Sequence, residues 1–151
     1  MTITVGFVGV ADSIANLSIA GVTMRDIDQI PDTGAMICPV MFPQPDDFIT
    51  GVTVERKSFG SGGTAKMDMT YTMNYVFLLA ETGSGISAMD AYSDLITKIA
   101  LIVKTILTND DIANAVDMEF EGISSIGAVI DPSGNSYWGA LMSFSVLEFV
   151  Q

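Results

Sequence analysis

Residues 66–79 read KMDMTYTMNYVFLL. Taken in steps of two, Met67, Met69, Tyr71, Met73, Tyr75, Phe77 and Leu79 fall on one side, and Lys66, Asp68, Thr70, Thr72 and Asn74 on the other. That is the period of a strand with one face buried. A row of large apolar side chains needs comparable apolar surface opposite it, so the stretch predicts a sheet covered by helices or by a second sheet. The cover follows in sequence. Over residues 87–108, Tyr92, Leu95, Ile96, Ile99, Ile102, Val103, Ile106 and Leu107 recur at steps of three and four, with Asp94, Lys98 and Lys104 outside the stripe. This predicts a long amphipathic helix packed on the sheet. Ser87, three residues ahead of Asp90, resembles a capping box at its start.

Upstream of the central strand, residues 48–59 read as a strand whose Glu55, Arg56 and Lys57 mark an exposed or rim portion. Gly60, Ser61, Gly62 and Gly63 form a loop into the central strand. A phosphate-binding loop would need a lysine and a hydroxyl residue straight after the last glycine and then a helix, whereas Thr64, Ala65 and Lys66 lead into a strand. Residues 36–42 predict a short buried strand that Pro39 places at an edge or in an irregular pairing. Residues 21–31 read as a short extended piece. In residues 3–17, Ile3, Phe7, Val10, Ile14 and Leu17 recur at helical spacing, with Gly6 and Gly9 leaving the helix secure only from Asp12 or Ser13.

Downstream, Val116, Met118 and Phe120 alternate with Asp117, Glu119 and Glu121 in an acid-faced strand that continues towards Ile130. Asp131, Pro132, Ser133, Gly134 and Asn135 make a turn. The last strand, from Tyr137 or Trp138 to Val150, is apolar on both sides and therefore internal or covered twice. The expected fold is α+β: a mostly antiparallel sheet of about five strands covered by the long amphipathic helix and an N-terminal helix. Its 151 residues predict a single domain, 1–151, with one core.

Composition narrows the function. Six basic against 18 acidic residues and no histidine give a net charge of -12, which repels nucleic acid and anionic membrane surfaces. The longest apolar run, residues 95–107, is interrupted by Thr97, Lys98, Lys104 and Thr105 and falls short of the roughly 20 residues of a membrane span. The lone Cys38, among Met36, Ile37, Val40 and Met41, reads as a buried thiol in a reduced compartment. The small share of charged residues, 16%, leaves neutral surface that favours contacts with other subunits.

Reaction chemistry is thin. With no histidine and one cysteine, base-assisted nucleophiles and thiolate metal sites have no parts. Asp26, Asp28 and Asp32 do not hold calcium-loop spacing, because Ile30 and Ile37 stand where ligands would be needed. They read as turn acids. Glu119 and Glu121 lie on one strand face roughly 7 Å apart at Cα, a spacing a carboxylate acid and base pair would use, but alternating acids on a strand are more often its wet face. No catalytic, cofactor or metal site is expected.

Three segments carry a family resemblance: VTVERKSFG at 52–60, MTYTMNYVFLL at 69–79 and DPSGNSYWGALMSFSVLEFV at 131–150. With the order helix, short strands, hairpin, long helix, hairpin, they resemble the tail terminator proteins of long-tailed bacteriophages, also called tail completion or head-tail joining proteins. The resemblance implies a non-enzymatic virion subunit, assembled in the host cytoplasm, that forms a homohexameric ring on the tail tube protein. It would join the tube to the head-tail connector or neck protein, with DNA passing transiently through the lumen and no membrane involved. On that implication Gly60, Ser61, Gly62, Gly63 and Thr64, with Asp131, Pro132, Ser133, Gly134 and Asn135, are candidate contact loops, and Glu119 and Glu121 are candidate lumen acids. Another phage neck or minor tail subunit, or an acidic monomeric protein-binding module, are the alternatives.

Overall fold

The computed structural model describes residues 7–29, 38–56, 67–108, 116–130 and 134–150. The fold is α+β. Among these residues two α-helices, α1 (Phe7–Ala15) and α2 (Ala88–Leu107), accompany a mixed sheet of six strands. The strands are β1 (Thr23–Met24), β2 (Val40–Pro43), β3 (Ile49–Arg56), β4 (Met67–Glu81), β5 (Val116–Ile130) and β6 (Ser136–Val150). Their order is β1-β2-β4-β6-β5, and β3 lies along the first half of β4, on the same side as β2. β1 pairs with β2 in parallel, and the other pairings are antiparallel.

The expectation of about five mostly antiparallel strands is therefore corrected to six in a mixed sheet. The addition is β1, in the piece read only as extended: Thr23 N–H donates to Pro39 O at 3.0 Å and Arg25 N–H to Met41 O at 2.9 Å. Two residues are too few to show a period, so the strand exists through its partner rather than through its own pattern.

The centre of the sheet is β4, paired along most of its length with β6 in the rows Tyr71 to Val146, Met73 to Phe144 and Tyr75 to Met142. One face of these strands buries Tyr71, Met73, Tyr75, Phe77, Met142, Phe144 and Val146. Onto it α2 lays Ala91, Leu95, Ile99, Ile102 and Ile106, and α1 adds Val10, Ala11 and Ile14. Each large apolar side chain so buried contributes about 1.5 to 3 kcal/mol before conformational entropy is subtracted. The Tyr75 ring meets Phe48 edge-on at 5.5 Å and Phe144 at 6.2 Å, an arrangement that satisfies the ring quadrupoles.

Local chemistry sets the helix ends. Ser87 Oγ accepts the Asp90 N–H at 3.2 Å, and the Thr108 N–H donates to Lys104 O at 3.0 Å, which satisfies backbone groups that the helix itself cannot. Thr97 and Thr105 return their hydroxyl protons to Ser93 O and Leu101 O. The buried stripe of α2 is narrower than the spacing predicted, because Tyr92, Ile96 and Leu107 are exposed on its flanks. The helix rests on the sheet along the buried row, with Tyr92 lapping Trp138 of β6 at ring centroids 5.9 Å apart. α1 is already helical at Phe7 rather than from Asp12, since burial of Val10, Ala11 and Ile14 outweighs the roughly 1 kcal/mol that Gly9 costs.

The expected single core is also corrected. On the opposite face of the sheet, Val40, Phe42, Val76, Leu78 and Tyr137 form a second, smaller cluster, flanked by Cys38, Val129 and Leu141. Cys38 is half-buried at its margin, and burial, then the charge of Glu81, pushes its thiol above the ordinary range.

Candidate assembly and binding surfaces

The face of the sheet turned away from α2 is polar at one end and apolar at the other. At the polar end, Asn74 is the hub: its Nδ2 donates to Asp47 O at 2.8 Å and to Thr50 Oγ1 at 3.2 Å, and its Oδ1 accepts from Ser143 Oγ at 2.7 Å. Three strands are tied together by one amide. Thr72 Oγ1 donates to Glu121 Oε1 at 3.2 Å, which places that carboxylate on the same face, and Glu119 sits opposite Ser145 beside it. Both glutamates are exposed. Between them the strand is irregular: Gly122 follows at φ 148°, where β5 shifts register against β6. A bulge of this kind turns a side chain away from its ladder position.

At the apolar end, Phe42, Val76, Leu78, Val129, Ile130 and Leu141 line a hollow of about 440 Å³. A second groove, about 470 Å³, runs on the other side of the sheet between α2 and β5, lined by Ile96, Ile99, Val103, Phe120, Ile123 and Ile126. Ile96, in its lining, is 60% exposed. Among the described residues β5 pairs with β6 alone, so the groove opens onto a free strand edge.

Of the loop residues singled out in the sequence, Gly60, Ser61, Gly62, Gly63, Thr64, Asp131, Pro132 and Ser133 lie outside the described residues. Gly134 and Asn135 are exposed just before β6, with Gly134 at φ 91°. They sit at the Ile130 end of the β5–β6 hairpin, and Glu119 is eleven residues back along β5, about 35 Å at strand rise. The structure does not bring the loop and the acids together. Asp26, one of the turn acids, accepts the Ile27 N–H on Oδ1 at 2.6 Å and donates its own N–H to Gln29 Oε1 at 3.0 Å, so it organises a short 3-10 turn.

Sequence reading missed Glu148. It lies on the core face of β6, in step with Met142, Phe144 and Val146, and is fully buried. Tyr71 donates its hydroxyl to Glu148 Oε1, while Oε2 has no partner among the described residues. The alternation that placed Val146 inside would have placed Glu148 inside as well. Burial raises the Glu148 carboxyl above the usual range, and the Tyr71 hydrogen bond offsets part of that. The folded state thus keeps the proton to higher pH than the unfolded chain. Stability from this group is present below the ordinary glutamate pKa, about 4.3, and is lost as pH rises through the folded value. Glu148→Gln keeps an acceptor for Tyr71 and removes the charge. In urea unfolding its midpoint should gain on the wild type between pH 4.5 and 7.5, and parallel pH profiles would rule this out.

Among the described residues there is no group of three acidic or cysteine side chains placed to hold a metal ion, and no helix long and apolar enough to cross a membrane. Comparison with known proteins finds no family model and no curated protein that matches the chain.

Proposed function

We propose that the chain is a non-enzymatic structural protein of a phage tail, a tail terminator. On the resemblance of its segments, six copies close a ring on the end of the tail tube and join it to the head or neck, with DNA passing through the lumen. The observation that carries this reading is one juxtaposition. A fifteen-residue edge strand with an apolar groove along it offers contacts between copies, and the same strand turns acids onto an open sheet face. Such a face repels a polyanion and lets it slide. Glu119 and Glu121 are then lumen acids. Gly134 and Asn135, with the neighbouring turn and residues 60–64, remain contact loops toward tube or neck.

The test is to add the purified chain to growing tail tubes and follow them by electron microscopy. Arrest of growth with a cap at one end is expected. Tubes that lengthen unchanged, with no chain bound, would rule out the terminator, and binding elsewhere on the tail would favour another neck or minor tail subunit. A second reading, an acidic monomeric binding module, is favoured by the apolar hollow of about 440 Å³, since concave apolar sites take ligands or peptides. Its sign is a persistent monomer that ignores tubes.

A further inference from the structure

One flank of α2 is apolar and uncovered. Met89, Tyr92, Ile96, Ala100, Val103 and Leu107 follow one another at steps of three and four, on a line about 100° round the helix from the buried row at 3.6 residues per turn. Met89 is 82% exposed, Tyr92 42%, Ile96 60% and Leu107 39%, while Ala100 is exposed and Val103 half-buried. Single exposed apolar side chains are ordinary, but a continuous line of them marks a contact surface. Ile96, Ala100 and Val103 also wall the groove whose floor is Phe120, Ile123 and Ile126 of β5. Helix flank and strand edge are therefore one apolar surface.

The line reads nearly the same in both directions. Reversed about the level of Lys98, Met89 exchanges places with Leu107 and Ile96 with Ala100, and Tyr92 falls within one residue of Val103. An antiparallel copy of α2 laid against the line thus sets a large Ile96 over a small Ala100 twice. Charge agrees. Asp90 and Lys104 are exposed near opposite ends of the helix, and the helical spacing puts both on the solvent side of the line. The reversal brings Lys104 of one copy within about 3 Å, along the axis, of the level of Asp90 in the other. A parallel copy would instead set Asp90 against Asp90 and Lys104 against Lys104. Lys98, at the centre, does not meet itself, because its Nζ lies on the other flank, 2.8 Å from where a Cβ of Gly21 would stand.

The acids of β5 permit this contact. Tyr92 Oη comes 3.0 Å from where a Cβ of Gly127 would stand, and the groove runs from there along α2 and back down β5. Six residues of helix, about 9 Å, match about three of strand, so Lys98 lies level with Ser124. A copy related about that level runs its β5 antiparallel, and even Glu121, the acid nearest the centre, stands about 20 Å along the strands from its counterpart. That is beyond the roughly 8 to 10 Å over which exposed charges act in physiological salt.

We propose that this chain pairs with a second copy of itself across a two-fold axis, α2 against α2 antiparallel, with the apolar groove covered by the contact. A two-fold contact closes on itself and admits no third copy, so the pair is the form of the chain away from a tail tube. It goes beyond the ring reading and does not rest on it; where copies close a ring along β5, the pair opens first.

Light scattering across a concentration series tests the pair. The wild type is expected to settle at twice the mass of one chain. Ile96→Asp puts a carboxylate against Ala100 in the middle of the contact and should raise the concentration needed for pairing about a hundredfold. Lys104→Glu should raise it about tenfold, since each Asp90 then meets a like charge. Asp90→Lys combined with Lys104→Glu restores opposite charges and should recover wild-type pairing, which also shows that the altered helix folds. A pair that survives Ile96→Asp, or a double variant as weak as Lys104→Glu alone, overturns the contact. So does a wild type that stays monomeric at every concentration, or one that forms six copies without tubes. The monomer leaves the ring reading to tube capping, and the six-fold mass supports it.

Discussion

Gly139→Ala should cost about 3 kcal/mol of unfolding free energy or more, the upper range for forcing extra volume into a packed site. Gly139 lies in the interior of β6, between Leu78 of β4 and Gly127 of β5. A Cβ built there stands 2.3 Å from Phe77 O and 3.1 Å from Leu78 Cδ2. The nearer atom is backbone, held in a ladder, and cannot turn aside as a side chain would. β6 has no room to retreat, because β5 holds it from the other side. At this point β4 shifts register between Leu78 and Ala80, so the glycine is where the two strands crowd together. Gly83→Ala is the control. An added Cβ there meets nothing within 4 Å, and its effect should stay within about 0.5 kcal/mol. Urea unfolding of the two variants checks both, and a Gly139→Ala cost as small as that of Gly83→Ala would contradict the β4–β6 packing.

Much of this architecture is legible in the residues. The alternation from Met69 to Leu79 gives the covered face of β4, and the steps from Leu95 to Ile106 give the helix that covers it. Ser87 marks where that helix starts. The second cluster was legible too, but by a different signal: after Asn74 the polar alternate gives way to Val76 and Leu78, so the run VFLL is apolar on both faces, the pattern of a strand covered twice. Two elements were hidden for physical reasons. β1 is too short to carry a period, and Tyr92 and Ile96 belong to the apolar stripe by spacing yet stay largely exposed, because they stand on the flank of the helix, where Tyr92 only laps Trp138 at the sheet margin. Glu148 shows the reverse: an acid at a core position, visible by parity and overlooked because it is charged. As for the surfaces, the wet face bearing Glu119 and Glu121 follows from alternation. The groove between α2 and β5 does not, because it depends on how the helix seats across strands far apart in sequence, which no local pattern contains.

Leu95→Ala should lose 2 to 5 kcal/mol, the range for deleting a buried leucine side chain beyond Cβ, while Ile96→Ala, one residue along, should change stability by less than about 0.5 kcal/mol. Leu95 is fully buried in the seam between α2 and the sheet, whereas Ile96 is 60% exposed on the rim of the groove beside β5. Truncating Leu95 leaves a cavity that neither a helix locked by Ala91 and Ile99 on either side nor a twisted sheet can close. Truncating Ile96 removes little that folding had buried. The two substitutions therefore separate the fold from the assembly. If copies meet along β5, Ile96→Ala keeps its unfolding midpoint and weakens the multimer, and Leu95→Ala lowers the midpoint whatever the oligomeric state. Denaturation at a concentration too low for assembly, paired with light scattering at a high one, reads both quantities. A Leu95→Ala cost under about 1 kcal/mol would mean that α2 does not seat on the sheet along this seam.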